Sequence, residues 1–194
     1  KIETEINQTW TPVWNTSYGL GQIVQSAGDV IEGYYAFYKA GTVTGTDSIT
    51  ISSKNTSVQN SSAIEILPGT PHHIVKISGQ EQEATRGTRL PEFFVIEVQD
   101  RYGNPVGNDT KVWFNITTIG LNGDSSLMKE SPLLTDSYGR VNNSLTLDSQ
   151  AGDNEVTVEI NSDRVVYTAL GTAPKMDATI SVDVEKASPS ETIY

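Results

Sequence analysis

Chemistry needs ionisable or nucleophilic side chains in workable groupings, and this chain offers few. Its 194 residues hold two histidines, His72 and His73, and no cysteine. Without a thiol there is no disulfide, no thiolate metal ligand and no cysteine nucleophile. Neighbours on an extended strand point to opposite faces, so the two imidazoles are not expected to share one metal ion. No Ser/His/Asp order, Gly-x-Ser-x-Gly elbow, His-Glu-x-x-His pair or phosphate loop is present. Gly41-Thr-Val-Thr-Gly-Thr46 is glycine-bearing but has no lysine, and reads as a turn. Two acid-bearing loops, residues 121–126 and 150–155, carry oxygen donors of the kind calcium takes, without a diagnostic spacing. The expectation is therefore a protein that is not an enzyme and needs no cofactor, with calcium at those loops as the one candidate ligand.

Covalent modification is better represented. Seven Asn-x-Ser/Thr triplets occur, at Asn7, Asn15, Asn55, Asn60, Asn108, Asn115 and Asn142. Ser and Thr fill roughly a fifth of the chain, so its twelve asparagines would give about two or three triplets by chance. The excess predicts an N-glycosylated, extracellular protein.

The formal charge of −11 argues against a nucleic-acid partner, since phosphate backbones repel so acidic a chain. No run of eighteen apolar residues spans a membrane.

Positioning falls to strands. Thr, Val, Ile and aromatic residues alternate with polar ones, and Gly, Asn, Asp and Pro break the runs. Strands are expected at residues 2–10, 33–39, 47–52, 73–78, 93–98, 111–117, 140–147, 155–160 and 165–170. Their spacing predicts two-sheet antiparallel sandwiches. Alternation puts Val112, Phe114 and Ile116 inward and Asn115 outward. It likewise puts Val141, Asn143, Leu145 and Leu147 inward and Asn142 outward, and sets Ile2, Ile6 and Trp10 opposite Asn7. In 33–39, Tyr35 and Phe37 share one face and Tyr34, Ala36 and Tyr38 the other. If Tyr34 and Tyr38 are the exposed set, they form a contact surface for sugars or a neighbouring module.

A repeat is visible. "GYYAFYKAGTVTGTDSITIS" at 33–52 matches "GRVNNSLTLDSQAGDNEVTVEI" at 139–160, and "TPHHIVKISG" at 70–79 matches "APKMDATISVD" at 173–183. A period of about 105 residues equals one immunoglobulin-like module. Three pieces follow: residues 1–67, a module lacking its opening strands; 68–172, a complete module; and 173–194, the opening strands of a next module or a donor strand.

Between two strands lies "VQDRYGNPV" at 98–106. Gly103 takes positive φ without steric cost, Asn104 is pushed towards extended geometry by Pro105, and Asp100 can accept hydrogen bonds from turn amides. Asp100, Gly103, Asn104 and Pro105 thus form a structural turn. Together with "KVWFNIT", "TDSYGRVNNSLTL" and "AGDNEVTVEI", this turn resembles the group 1 bacterial immunoglobulin-like domain of invasin and intimin stalks. The resemblance covers about 105 residues; the part before Gly28, with Trp10, Trp14 and Tyr18, departs from it. It implies tandem immunoglobulin-like β-sandwiches in a cell-surface stalk, surface-layer or filament protein, whose partners are neighbouring modules or copies of itself. If residues 173–194 complete the first module of another copy, head-to-tail strand complementation builds a filament. The other functional class is an adhesin holding cell-surface glycans or a receptor through exposed aromatics.

Overall fold

The computed structural model of the chain describes residues 11–29, 33–54, 59–119 and 121–175. The described residues form strands and no helix, so none is long and apolar enough to cross a membrane. In chain order the strands are β1 (Pro12–Thr16), β2 (Gly21–Asp29), β3 (Gly33–Ala40), β4 (Gly45–Ser53), β5 (Gln59–Ile66), β6 (His73–Ser78), β7 (Gln82–Thr85), β8 (Phe94–Gln99), β9 (Lys111–Ile116), β10 (Ser126–Leu127), β11 (Leu133–Leu134), β12 (Arg140–Asn143), β13 (Leu145–Thr146), β14 (Gly152–Glu159) and β15 (Arg164–Thr172). They build tandem immunoglobulin-like β-sandwiches.

The sheets divide into two sets that share no strand. β1-β4-β5 and the hairpin β2-β3 form the first; β11-β9-β14-β15-β7, β12-β8-β6 and the pair β10-β13 form the second. In the second set the alternation of apolar residues drives the inner faces together. Phe94, Ile96 and Val98 of β8 meet Val112 and Phe114 of β9, Val156 and Val158 of β14, and Tyr167 of β15 in one buried cluster. Phe94 and Tyr167 lie 4.6 Å apart between ring centres, and the Tyr167 hydroxyl donates to the Val95 carbonyl at 2.9 Å. A buried phenol thus keeps a partner.

The expected strand 140–147 is interrupted. Ser144 is buried beside Asn143, whose Oδ1 accepts from the Ser144 and Lys129 amides and whose Nδ2 donates to the Lys129 carbonyl. A side-chain amide therefore replaces ladder bonds where β12 gives way to β13. β1, β2, β5, β7, β10 and β11 fall outside the expected strands; β1 and β2 lie in the stretch that departs from the resemblance. The expected strand 2–10 and nearly all of 173–194 lie outside the described residues.

The first set repeats part of the second. β1 pairs with β4 so that Trp14 faces Ile51, as β9 pairs with β14 so that Phe114 faces Val158. Gly45 and Gly152, 107 positions apart, open β4 and β14 at φ +144° and +149°. Each lies under a leucine: a Cβ would meet Leu20 at 3.1 Å in one case and Leu121 at 2.8 Å in the other. Strands equivalent to β6, β7 and β8, however, are not among the described residues of the first set. Its inward residues Trp14, Tyr34, Tyr38 and Ile51 are accordingly only half-buried, and Ile66 is the one buried hydrophobic residue described there.

This asymmetry predicts unequal costs for large-to-small changes. Phe114→Ala should lower stability by about 3–5 kcal/mol, read from urea unfolding. Ile51→Ala should cost distinctly less, because its site already touches less protein. Equal losses would mean that both sets have equally closed cores.

Candidate functional site

The turn at 98–106 is more than a reversal. The Asp100 carboxylate is 1% exposed. Its Oδ1 accepts the Tyr102 amide at 2.8 Å and the Asn104 amide at 3.0 Å, and its Oδ2 accepts the Asn104 Nδ2 at 2.9 Å. The Asp100 and Asn104 backbones also bond, amide to carbonyl, at 2.8 Å. Gly103 sits at φ +87°, a conformation glycine adopts without a Cβ penalty, and Asn104 keeps negative φ ahead of Pro105.

Two further sets of bonds leave the turn. The Gly69 amide, in the segment joining β5 to β6, donates to Asp100 Oδ2 at 2.9 Å. Asn104 Nδ2 donates to the Thr42 carbonyl at 2.8 Å, and the Thr44 amide donates to Asn104 Oδ1 at 3.3 Å. Thr42 and Thr44 belong to the β3–β4 loop of the first set. One carboxylate and one carboxamide therefore tie together the turn, the linker and the neighbouring sandwich. Sequence reading found the turn but not its reach, because contacts between residues sixty positions apart leave no local pattern. The glycine-bearing 41–46 stretch was the available signal; its residues 41–44 form the bend between β3 and β4, and Gly45 and Thr46 open β4.

Burial, the largest influence on the Asp100 carboxyl, raises its pKa. The bonds donated by Asn104, Gly69 and Tyr102 outweigh it and bring the value from 3.8 down to about 2. Acid–base chemistry at neutral pH is thereby closed to it, and an anchoring role is favoured.

Two other buried aspartates are caged alike. Asp47 accepts from the Tyr18 amide at 3.1 Å, the Ser48 amide at 2.8 Å and the Tyr38 hydroxyl at 2.9 Å. Asp148 accepts from the amides of Gln150 (2.8 Å), Gly123 (2.7 Å), Asn122 (3.2 Å) and Asp124 (3.2 Å). In both, burial pushes the pKa up and the donated bonds bring it below the ordinary value.

The Asp148 cage joins the two loops expected to take calcium. Asp124 Oδ1 accepts the Ser149 amide at 2.8 Å and Asn122 Nδ2 donates to Ser149 Oγ at 3.0 Å. The carboxylates of Asp148 and Asp124 thus face N–H donors, the opposite of the oxygen-rich lining a calcium ion takes. No group of three acidic or histidine side chains is arranged for a metal among the described residues. His72 and His73 are exposed, and their ring centres lie 4.3 Å apart, tilted by 52°. They do not diverge as strict alternation predicts, since His72 precedes the first residue of β6.

The aromatic expectation is corrected in its geometry. Tyr34 and Tyr38 are half-buried on the inner face, with the Tyr38 hydroxyl held by Asp47. Tyr35 and Phe37 are the exposed pair, at 53% and 55%, meeting edge to face with centres 5.9 Å apart. The inner face wins Tyr38 because a buried carboxylate needs its hydroxyl. Five of the seven glycosylation candidates are described: Asn15, Asn60, Asn108, Asn115 and Asn142 are all exposed. Asn7 and Asn55 lie outside the described residues.

No protein-family model matches the chain, and no curated protein matches it. Solved structures do share its fold. InvD of Yersinia pseudotuberculosis is 18% identical with a TM-score of 0.56, over 91% of this chain and 51% of that one. The Escherichia coli adhesin FdeC is 15% identical with a TM-score of 0.52, over 84% of this chain and 54% of that one. Domains 4 and 5 of the S-layer protein SbsC reach 0.43 at 13% identity, over 84% and 70%. The chain spans about half the length of the InvD and FdeC structures.

The Asp100 cage makes the joint acid-labile in a defined window. A carboxyl depressed in the folded state stabilises fully above its unfolded pKa and loses that contribution as pH falls towards its folded pKa. The Gly69 amide and Asn104 side-chain NMR signals should hold steady from neutrality to about pH 4 and then shift together as pH falls towards ~2. Independent midpoints for the two signals would show that they do not report one carboxylate.

Proposed function

We propose that this chain is a non-enzymatic, load-carrying run of immunoglobulin-like modules from an extracellular surface protein. Its work is to hold a fixed spacing and direction. The observation that carries this reading is the Asp100–Asn104 clamp. A flexible tether would solvate its linker, whereas here the linker amide of Gly69 and the loop of the preceding sandwich share one buried acceptor set. The residue boundaries 67/68 and 172/173 belong to the same proposal, as does N-glycosylation of the exposed asparagines. The fold shared with InvD and with the adhesin FdeC supports it at the level of fold.

Two finer readings each rest on one observation. Head-to-tail strand complementation is favoured by the first set, in which, among the described residues, no strands equivalent to β6, β7 and β8 occur and Trp14 Nε1 is buried without a hydrogen-bond partner. Strands supplied by a neighbouring copy would close that set. Rods that lengthen with concentration in electron micrographs are its expected sign. An adhesive role is favoured by the exposed Tyr35–Phe37 pair, and Tyr35→Ala would then abolish retention on a glycan array.

The clamp is tested by distance. The absence of native cysteine permits spin labels at two introduced ones, Ser62→Cys and Ser137→Cys, both exposed sites in different sets. Pulsed electron resonance should give one narrow distance distribution, broadened by Asn104→Ala. A broad distribution in the unaltered chain would overturn the spacer reading.

A further inference from the structure

Strand β9 carries an uncommon outer face. Val112 and Phe114 enter the core, so Lys111, Trp113 and Asn115 point outward, and Thr117 just beyond the strand is exposed on the same side as its partner Thr157. Trp113 is registered opposite Glu159 and Asn115 opposite Thr157 on β14. Asn115 Nδ2 donates to Glu159 Oε1 at 2.9 Å, and the Thr117 and Thr157 hydroxyls lie 3.0 Å apart. Residues two apart on a strand stand roughly 6.5–7 Å from one another on the same face. Of the seven triplets, the one at Asn115 alone has an aromatic residue two positions before its asparagine.

Trp113 also lines a groove of about 590 Å³, together with Pro71, Asp109, Lys111 and Ser162 among others. Asp109 holds φ +69°, a left-handed conformation that aspartate adopts more readily than most residues. The lining thus brings together an indole and residues that bear carboxylate, ammonium and hydroxyl groups. Such a lining fits a sugar, whose C–H face stacks on an aromatic ring while its hydroxyls find polar partners.

We propose that an N-linked glycan on Asn115 lies back along β9 across Trp113 and occupies this groove. This rests on the glycosylation reading above. The attachment forms a bond from Asn115 Nδ2 to the sugar's anomeric carbon. It breaks that carbon's bond to a lipid-phosphate carrier, which leaves with its phosphate as the amide loses one proton. The second Nδ2 hydrogen remains and keeps its bond to Glu159. That bond fixes the amide orientation, so the first sugar leaves the strand in a set direction. The glycan then covers the one indole placed on this sheet's outer face and stiffens β9 against β14.

The test uses the full chain made in an N-glycosylating host, with glycopeptide mass spectrometry at each asparagine. Glycosylated chain should melt about 4 °C above its enzymatically deglycosylated form. Sugar proton signals should be shifted upfield by the indole ring. Both effects should vanish in Trp113→Ala and largely persist in Trp113→Phe, while Asn108→Gln changes neither. An occupied Asn115 with unshifted sugar signals and the same melting gain in Trp113→Ala overturns this inference and leaves glycosylation standing. Modification at the other exposed triplets but not at Asn115 also overturns it. A chain unmodified at every triplet overturns the glycosylation reading itself.

Discussion

A carboxylate removed from water must be given back its hydrogen bonds, and the joint of this protein is built around that requirement at Asp100. Its acceptor sites are filled by the turn's own amides, by Asn104 Nδ2 and by the Gly69 amide of the linker. Remove the linker and one site opens; change the turn and two or three do. The carboxylate thus penalises any arrangement in which linker and turn separate. Asn104 extends the constraint because its carboxamide both donates and accepts: Nδ2 reaches Asp100 and the Thr42 carbonyl while Oδ1 receives the Thr44 amide. Aspartate at position 104 would set a second acceptor against the Asp100 carboxylate and the Thr42 carbonyl. Leucine would satisfy neither side.

Orientation between sandwiches is therefore set by polar satisfaction, where their interiors are set by apolar contact. The buried cluster lies wholly between β6 and β15 and contributes nothing across the joint. Apolar interfaces tolerate sliding, since the hydrophobic effect has no direction. Hydrogen bonds to a buried anion lose strength quickly with misalignment. A directional interaction at the hinge holds the angle between sandwiches more closely than apolar contact would.

The interior of the second sandwich was legible because burial imposes a period of two. Val112, Phe114, Val141 and Leu145 could be placed before any coordinates, and with them the outward Asn115 and Asn142. The turn was legible from Gly103 and Pro105, whose backbone restrictions are local. What stayed hidden is non-local. Gly69 is an ordinary glycine, Thr42 and Thr44 act through their backbones, and no side-chain pattern marks a loop as the far side of a joint. The exposed aromatic face was misjudged for a related reason. Alternation separates Tyr34, Ala36 and Tyr38 from Tyr35 and Phe37 but does not say which set turns inward. That choice depends on Asp47, nine residues away.

The same slot in the two sandwiches shows how such choices are coupled. Asp47 and Asn154 stand 107 positions apart, both fully buried, two residues after the positive-φ glycine that opens β4 or β14. Around Asp47 every partner donates: the amides of Tyr18, Ser48 and Gly21 and the Tyr38 hydroxyl. Around Asn154 the partners are mixed, since Oδ1 accepts the Asp148 amide at 2.9 Å and Nδ2 donates to the Gly152 carbonyl at 3.1 Å. The position corresponding to Tyr38 is Leu145, which has no hydroxyl to give. A carboxylate demands an extra donor and the first sandwich supplies a phenol; a carboxamide brings its own, so the second can use a fully apolar residue and close its core around it. The tyrosine that sequence reading set aside as a surface for other molecules is held in place by this internal demand, and the outward-facing pair beside it is left free for contact.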